Sequence, residues 1–313
     1  MKYQYAKKAL FCKCTGSAFL AAGIHCIEFS WSGPAPRAGQ FFIIKPARSG
    51  VFLGRPISVA AWKAGSDAEG TSGKLSFIVT ARGRGSRELA DLKPGEEAEL
   101  IGPLGNSWAD AAQSLQAGLS LNSALPPQAR LPSQAVPPLQ TVSADKPLAL
   151  VAGGVGIAPL LAFIQELSTR TIGKTVSAPE KLVSFDLYAG FRTMTESEWR
   201  SFLRAGSFSP ENAEPRKLLV ATEDGSLGVK GRIPDFFEPG DYGAVFACGP
   251  EPMIKVICAK CIAADVPCFV SMEKHMACGV GACLGCRVKT IGGNLSCCTD
   301  GPIFSAGELR FDE

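Results

Sequence analysis

Histidine is nearly missing from this chain. There are two, His25 and His275, among 313 residues. His275 lies three residues before Cys278, yet no second imidazole stands near it, so a Rieske-type His pair is excluded. An excess of one charge sign is missing too. The formal net charge is +3 with the basic residues dispersed, which leaves no clustered Lys/Arg footprint for nucleic acid. No apolar run approaches the roughly 20 residues of a membrane-spanning helix. A secretion signal is not expected: Lys7 and Lys8 precede an apolar stretch, but Lys13 interrupts it and no clean small-x-small site follows. A first β-strand is expected there instead. No internal repeat is evident.

Cysteine is plentiful and unevenly placed: nine of the twelve lie from Cys248 onward. Dense thiols without a secretion signal fit a reducing cytoplasm and a metal cluster. Cys278, Cys283 and Cys286 make a C-x4-C-x2-C run, and Cys297 and Cys298 follow a short loop later. Three thiolates on one tight turn, closed by a fourth from a later segment, form the plant-type 2Fe–2S pattern. Gly279, Gly281, Ala282 and Gly285 fill the gaps. Glycine lets the backbone curl round an inorganic core and aim N–H groups at its sulfurs. Zinc is disfavoured because only one C-x2-C lies in this stretch. Cys258 and Cys261 also form C-x2-C, but their segment reads as a helix leading to the strand of Cys268, so no second metal site is expected.

Four segments follow from the pattern of the chain. Residues 1–108 alternate short apolar runs with Gly, Pro and polar breaks, which predicts a small antiparallel barrel. Residues 109–145 are rich in Ala, Gln, Ser, Leu and Pro and read as a low-complexity insertion or linker. Residues 146–257 alternate apolar strands with helices, the pattern of a doubly wound parallel sheet. Residues 258–313 carry the cysteine cluster.

Further motifs carry chemistry. Leu148–Gly154 is a buried strand running into Gly153, Gly154 and Gly156, with Pro159 in the first turn of the next helix. A strand–glycine turn–helix offers free N–H groups and a positive dipole end to phosphate, although a tight turn alone would need the same glycines. Cys248, Gly249 and Pro250 end a second strand, so both turns are expected on one sheet edge facing one crevice. Arg55-Pro56-Ile57-Ser58 suits an anionic planar ligand. Gly83-Arg84-Gly85-Ser86 opens a helix, either as a pyrophosphate cradle or with Ser86 as an N-cap.

Together these stretches resemble the electron-transfer subunits of class B dihydroorotate dehydrogenase, within the ferredoxin–NADP reductase superfamily. The resemblance runs from Gly39 to Phe304 except for the insertion, and includes R-P-I-S, G-x-G-S, Gly102–Asn106, the A-T-E-D-G-S-L-G-V-K-G run at 221–231 and C-x-D-G-P-x-F. It implies an FAD-binding β-barrel, an NAD-binding α/β domain and a small C-terminal 2Fe–2S domain. It also adds Ile78, Val79 and Thr80 as a flavin strand, and selects Cys298 over Cys297 as fourth ligand, beside Cys278, Cys283 and Cys286. Gly85 and Ser86 are then expected on the flavin pyrophosphate, and Gly153, Gly154, Gly156 and Cys248–Pro250 on the nicotinamide nucleotide.

Nicotinamide exchanges two electrons as hydride and a 2Fe–2S cluster takes one, so a flavin between them converts one currency to the other. The resemblance implies flow from dihydroorotate through the FMN of a catalytic partner, in a heterotetramer serving pyrimidine biosynthesis, to NAD⁺. No residue of this chain is expected to act as general acid or base. Other readings are the small subunit of an NADH-dependent ferredoxin:NADP oxidoreductase, a hydrogenase or sulfite-reductase diaphorase chain, or a non-enzymatic iron–sulfur sensor. The bifurcating type tends to carry Asp where Cys278 stands, and a sensor would be expected to lose R-P-I-S or G-x-G-S.

Overall fold

The structure is a computed structural model describing residues 9–65, 72–112, 146–169, 171–172, 181–206 and 214–311. The stretch 113–145, most of the expected insertion, lies outside the described residues; residues 108–112 just before it are helical.

Six strands close an antiparallel barrel: β1 (Ala9–Ala21), β2 (Ile24–Ser32), β3 (Phe41–Pro46), β4 (Arg55–Ala64), β5 (Ser72–Thr80) and β6 (Glu97–Leu104), in the order β1-β2-β5-β4-β3-β6. Alternation sets its interior, because successive strand side chains face opposite ways. Ile27, Phe29 and Trp31 of β2 point in with Leu75, Phe77 and Val79 of β5. Phe42 sits among them edge-on, its ring 4.9 Å from Trp31 and 5.6 Å from Phe77. Closure removes the strand edges that would otherwise invite pairing with other chains.

The second unit is a seven-stranded sheet. Its strands are β7 (Leu148–Gly153), β10 (Phe185–Phe191), β11 (Lys217–Thr222), β12 (Val229–Lys230), β13 (Ala244–Cys248), β14 (Cys268–Ser271) and β17 (Ile303–Ser305). The order is β12-β11-β10-β7-β13-β14-β17, parallel throughout except for β17. The short strands β8 (Thr171–Ile172) and β9 (Lys181–Leu182) pair apart from it. The β7 run is buried on both faces, which is why it reads as unbroken apolar sequence. Leu148, Leu150 and Ala152 face the helix Ile157–Thr169, while Ala149 and Val151 face the helix Glu251–Ala263. One helix per face is the doubly wound arrangement foreseen from the strand–helix alternation.

The sheet does not stop at residue 257, where sequence composition places a boundary. It takes in β14 and β17, and the cysteine-rich segment is the excursion between them, with its own hairpin of β15 (Arg287–Thr290) and β16 (Gly293–Ser296). A strand of this sheet therefore leads into the cysteine loop and another leads out.

The two units are bonded together. Gln165 donates through Nε2 to the Trp62 carbonyl at 2.7 Å and accepts from the Trp62 N–H at 3.2 Å. The Ala38 N–H donates to Glu166 at 3.0 Å. Trp108 is fully buried at the junction, its indole N–H on the Pro159 carbonyl at 3.2 Å.

Candidate functional site

β7 is the strand at which the chain order reverses, with β10 on one side and β13 on the other. Open α/β sheets bind ligands at such a switch point, beyond the carboxyl ends of the strands. The Gly153–Gly156 turn and the Cys248–Pro250 turn both stand at that edge, since Cys248 is in register with Ala152. Their glycines serve contact between the turns. A Cβ on Gly156 would stand 2.3 Å from the Cys248 carbonyl oxygen, and one on Gly249 would stand 2.9 Å from Gly153 Cα. Gly154 differs: its φ is +56° and nothing lies within 4 Å of where a Cβ would be. That glycine faces open space over the crevice.

β5 packs beside the Gly154–Gly156 turn, bringing the expected flavin strand to the nucleotide edge. Two observations here fit a bound flavin. Arg55, Pro56, Ile57 and Ser58 are four successive half-buried residues where β4 would otherwise alternate, as beside an open groove. Thr80 Oγ1, at the end of β5, is buried with no hydrogen-bond partner, a polar atom open to a ligand. Ile78 and Val79 are buried in the barrel wall. The Arg55 guanidinium lies over Gly85, where a Cβ would stand 2.7 Å from Nη2.

The helix Arg84–Ala90 corrects one expectation. Its N-cap is Gly83, and Ser86 sits one turn in. The Ser86 hydroxyl accepts from the N–H groups of Arg82 and Gly83, both at 3.0 Å. It holds the turn closed from within.

The cysteine loop is where the structure adds most. Among the described residues, no three Cys, His, Asp or Glu side chains are set round a single metal ion. The thiols act on one another in two pairs instead: Cys278 with Cys283, and Cys286 with Cys298. One zinc would need its ligands convergent on one point; a two-iron cluster needs two thiolates at each end. Backbone donors already face the sulfurs. The N–H groups of Val280 and Cys283 donate to Cys278 Sγ, both at 3.4 Å, and the Gly281 N–H donates to Cys298 Sγ at 3.2 Å. Gly279 and Gly281 hold φ of +66° and +80°, the left-handed conformation that turns those N–H groups inward.

The pairs differ in environment. Cys283 is exposed and Cys278 half-buried, whereas Cys286 and Cys298 are buried. Desolvation acts to raise the Cys278 thiol, but the N–H groups of Val280, Cys283 and Ala282 and the Cys283 thiol together bring it down to about 6. Burial, then the Cys286 thiol, push Cys298 up to about 12. Cys297 points elsewhere: its thiol donates to the Met272 carbonyl at 3.1 Å. Burial and the neighbouring Cys286 and Cys298 raise it, so it stays a thiol. The choice between Cys297 and Cys298 thus acquires a geometric basis.

Sequence reasoning placed Asn106 in a motif without its contact, and missed Glu273. Asn106 clamps the cluster segment to the barrel: its Nδ2 donates to the Ile303 carbonyl at 2.8 Å, and its Oδ1 accepts from the Ile303 N–H at 3.0 Å. The two motifs Gly102–Asn106 and C-x-D-G-P-x-F are each other's contact. Glu273 follows β14 at the sheet edge, and its charge reaches Cys248 and Cys297. Although the residue is exposed overall, desolvation of its carboxyl outweighs Arg82 and raises its pKa. An acid placed just past an apolar strand, at the edge where ligands sit, was the signal available.

The family described as the iron–sulfur cluster binding domain of dihydroorotate dehydrogenase B matches residues 273–310. The dihydroorotate dehydrogenase B (NAD(+)) electron transfer subunit of Clostridium acetobutylicum is 32% identical over 279 residues, covering 88% of this chain and 87% of that protein. The chain belongs to this family of electron transfer subunits. The Clostridium perfringens member is 33% identical over 275 residues, covering 88% of this chain and 87% of its own. Among solved structures, one of NADH-dependent reduced ferredoxin-NADP oxidoreductase shares the fold with TM-score 0.65 at 23% identity, over 98% of this chain and 92% of that one. A Neisseria gonorrhoeae ferredoxin NADP+ reductase shares it with TM-score 0.51 at 17% identity, over 83% of this chain and 92% of that one. Electron transfer subunits act for another subunit, and among the described residues no helix is long and apolar enough to cross a membrane.

Proposed function

We propose that this chain carries electrons between the FMN of a dihydroorotate-oxidising catalytic subunit and NAD⁺, through a 2Fe–2S cluster and FAD. The observation that carries the reading is the pairing of four thiols, with N–H groups aimed at them, in a loop seated against the barrel. Cys278 and Cys283 would hold the outer iron and Cys286 and Cys298 the inner one. When bound, FAD supplies the exchange between hydride and single electrons.

The chain's own residues bind and orient. Arg55, Pro56, Ile57 and Ser58 would line the isoalloxazine, with the Thr80 hydroxyl turned to the flavin and Gly85 allowing close approach of its pyrophosphate. Ser86 keeps that turn in shape. Gly154 leaves room for the nicotinamide nucleotide, while Gly153, Gly156, Cys248, Gly249 and Pro250 fix the two turns it would rest on. Cys283 of the outer pair is exposed, and that is the side from which a partner's electrons would enter. The assembly we propose is a cytoplasmic heterotetramer with two copies of each subunit.

The test is co-expression with an FMN-type dihydroorotate dehydrogenase, followed by assay of dihydroorotate-dependent NADH formation. The expected result is a co-purifying complex containing iron, FAD and FMN that turns over. A chain with FAD and iron that gives no turnover with any such partner would move the reading to another flavin/iron–sulfur reductase.

A further inference from the structure

Cys297 is neither a ligand by geometry nor an idle core thiol. Buried cysteines ordinarily pack as small hydrophobes with no particular partner. This one is fully buried and bonded on two sides. Its Sγ–H donates to the Met272 carbonyl at 3.1 Å, and its N–H donates to the Cys286 carbonyl at 2.9 Å. Met272 directly follows β14, and its own N–H donates to the Pro302 carbonyl at 2.8 Å. Ser271, the last residue of β14, is in register with Cys248 on the neighbouring strand.

These contacts make a continuous buried line from the nucleotide edge to the inner cysteine pair. It runs Cys248, Ser271, Met272, Cys297, Cys286, with relative exposures of 3, 4, 5, 0 and 2%. We infer that Cys297 is a positioning residue that fastens the inner ligands, Cys286 and Cys298, to the strand bearing the nucleotide edge. The inference rests on the electron-carrier reading above.

Its consequence is electrochemical. Hydrogen bonds to ligand sulfurs, and the dryness of their surroundings, set a cluster's reduction potential. Without the thiol-to-carbonyl bond, Met272 keeps an unpaired buried carbonyl and the Cys286–Cys298 segment loses its tie. The inner sulfurs then shift relative to the N–H groups that face them. The nicotinamide edge itself is untouched, because Cys248 keeps its strand pairing with Ser271 and Ala152.

The experiment uses the full chain, purified anaerobically with iron and FAD, as wild type, Cys297→Ala and Cys297→Ser. The cluster's midpoint potential is read by an EPR-monitored redox titration. Iron release to a chelator is followed in parallel, and the rate of FAD reduction by NADH serves as control. Cys297→Ala should displace the midpoint and release iron several-fold faster, with FAD reduction unchanged. Cys297→Ser keeps a donor for Met272 and should lie closer to wild type on both readouts. If the alanine variant loses its cluster during purification, the iron-to-FAD ratio replaces the midpoint, and more iron in the serine variant supports the proposal. Alanine and wild type that agree in potential and in iron release overturn it, as do alanine and serine variants displaced equally. Wild-type protein that binds FAD but never iron overturns the carrier reading itself, before any variant is compared.

Discussion

Gly279 of the cysteine loop rests directly on Ile43 of the third barrel strand: a Cβ on Gly279 would stand 2.4 Å from Ile43 Cδ1. Ile43 is in register with Pro56, the second residue of β4 and of the R-P-I-S motif. From the other side Gly54 presses on the same side chain, where a Cβ would stand 2.4 Å from Ile43 Cγ2. One isoleucine is therefore the floor shared by the cluster loop and the entrance to β4. The cluster's closeness to the barrel is set by the absence of a side chain at 279.

Gly279→Val should accordingly cost the cluster and spare the flavin. The substitution meets two obstacles, the contact with Ile43 and a φ of +66° that β-branched residues avoid. The expected product is yellow protein with stoichiometric FAD and little iron or acid-labile sulfide. Full iron content in that variant would mean that the loop can lift away from Ile43 without harm.

Arg55→Ala should do the reverse. The Arg55 guanidinium donates to the Leu53 carbonyl at 2.8 Å and roofs Gly85, so its loss opens the groove along β4. FAD affinity should fall about tenfold or more, where each tenfold is roughly 1.4 kcal/mol, with iron retained. Arg55→Lys should recover part of the loss, since lysine keeps the charge and lacks the fork. Fluorescence titration of apoprotein with FAD measures both.

Much of this arrangement was legible before the structure, for reasons of spacing. Cys278, Cys283 and Cys286 lie close in sequence, so local chain geometry alone brings them together. The β7 run from Leu148 to Gly153 announces a doubly covered strand by having no polar residue. What was not legible depends on long-range contact. Nothing in Asn106 marks it as the partner of Ile303, nearly two hundred residues later. The strand of Cys268 was legible, but not that it and the three-residue β17 continue the sheet, because that depends on pairing across the chain. At Ser86 only the capping alternative falls. Hydroxyls near helix starts usually cap, but glycine at 83 took that place and left Ser86 to reach back.

Asn106→Ala should loosen the cluster segment from the barrel. It removes the partner of the Ile303 N–H and two donor contacts from one amide. Leaving such groups unsatisfied costs about 1–3 kcal/mol. The expected outcome is a lower urea midpoint together with faster iron release. Loss of stability with unchanged iron release would assign Asn106 to the fold alone.

Gly156→Ala tests the nucleotide edge. Its Cβ would meet a main-chain oxygen, the Cys248 carbonyl, so no side chain can swing aside to admit it. The two turns must separate, and the crevice they share must change shape. The KM for NADH in reduction of ferricyanide should rise several-fold, with FAD content unchanged. An unaltered KM would show that nucleotide does not bridge these turns.

Asp224 gives a prediction in pH. It lies just past β11, and its Oδ1 accepts from the Ser226 hydroxyl at 2.6 Å and from the Ser226 N–H at 3.0 Å. Ser226 in turn accepts from the Met194 N–H at 3.0 Å, which ties the ends of β10 and β11 together. The Ser226 hydroxyl first, then its N–H and the Thr193 hydroxyl, lower the Asp224 pKa from 3.8 to about 2. A carboxyl held below its unfolded value binds its proton less readily when folded. Its contribution to stability is therefore complete above 3.8 and fades as the pH falls towards about 2. Asp224→Asn keeps the shape and removes that titration. The urea midpoints of wild type and variant should differ most at neutral pH and converge through the acid window. A difference that stays constant across that window would show that the Ser226 bonds are indifferent to the charge on Asp224.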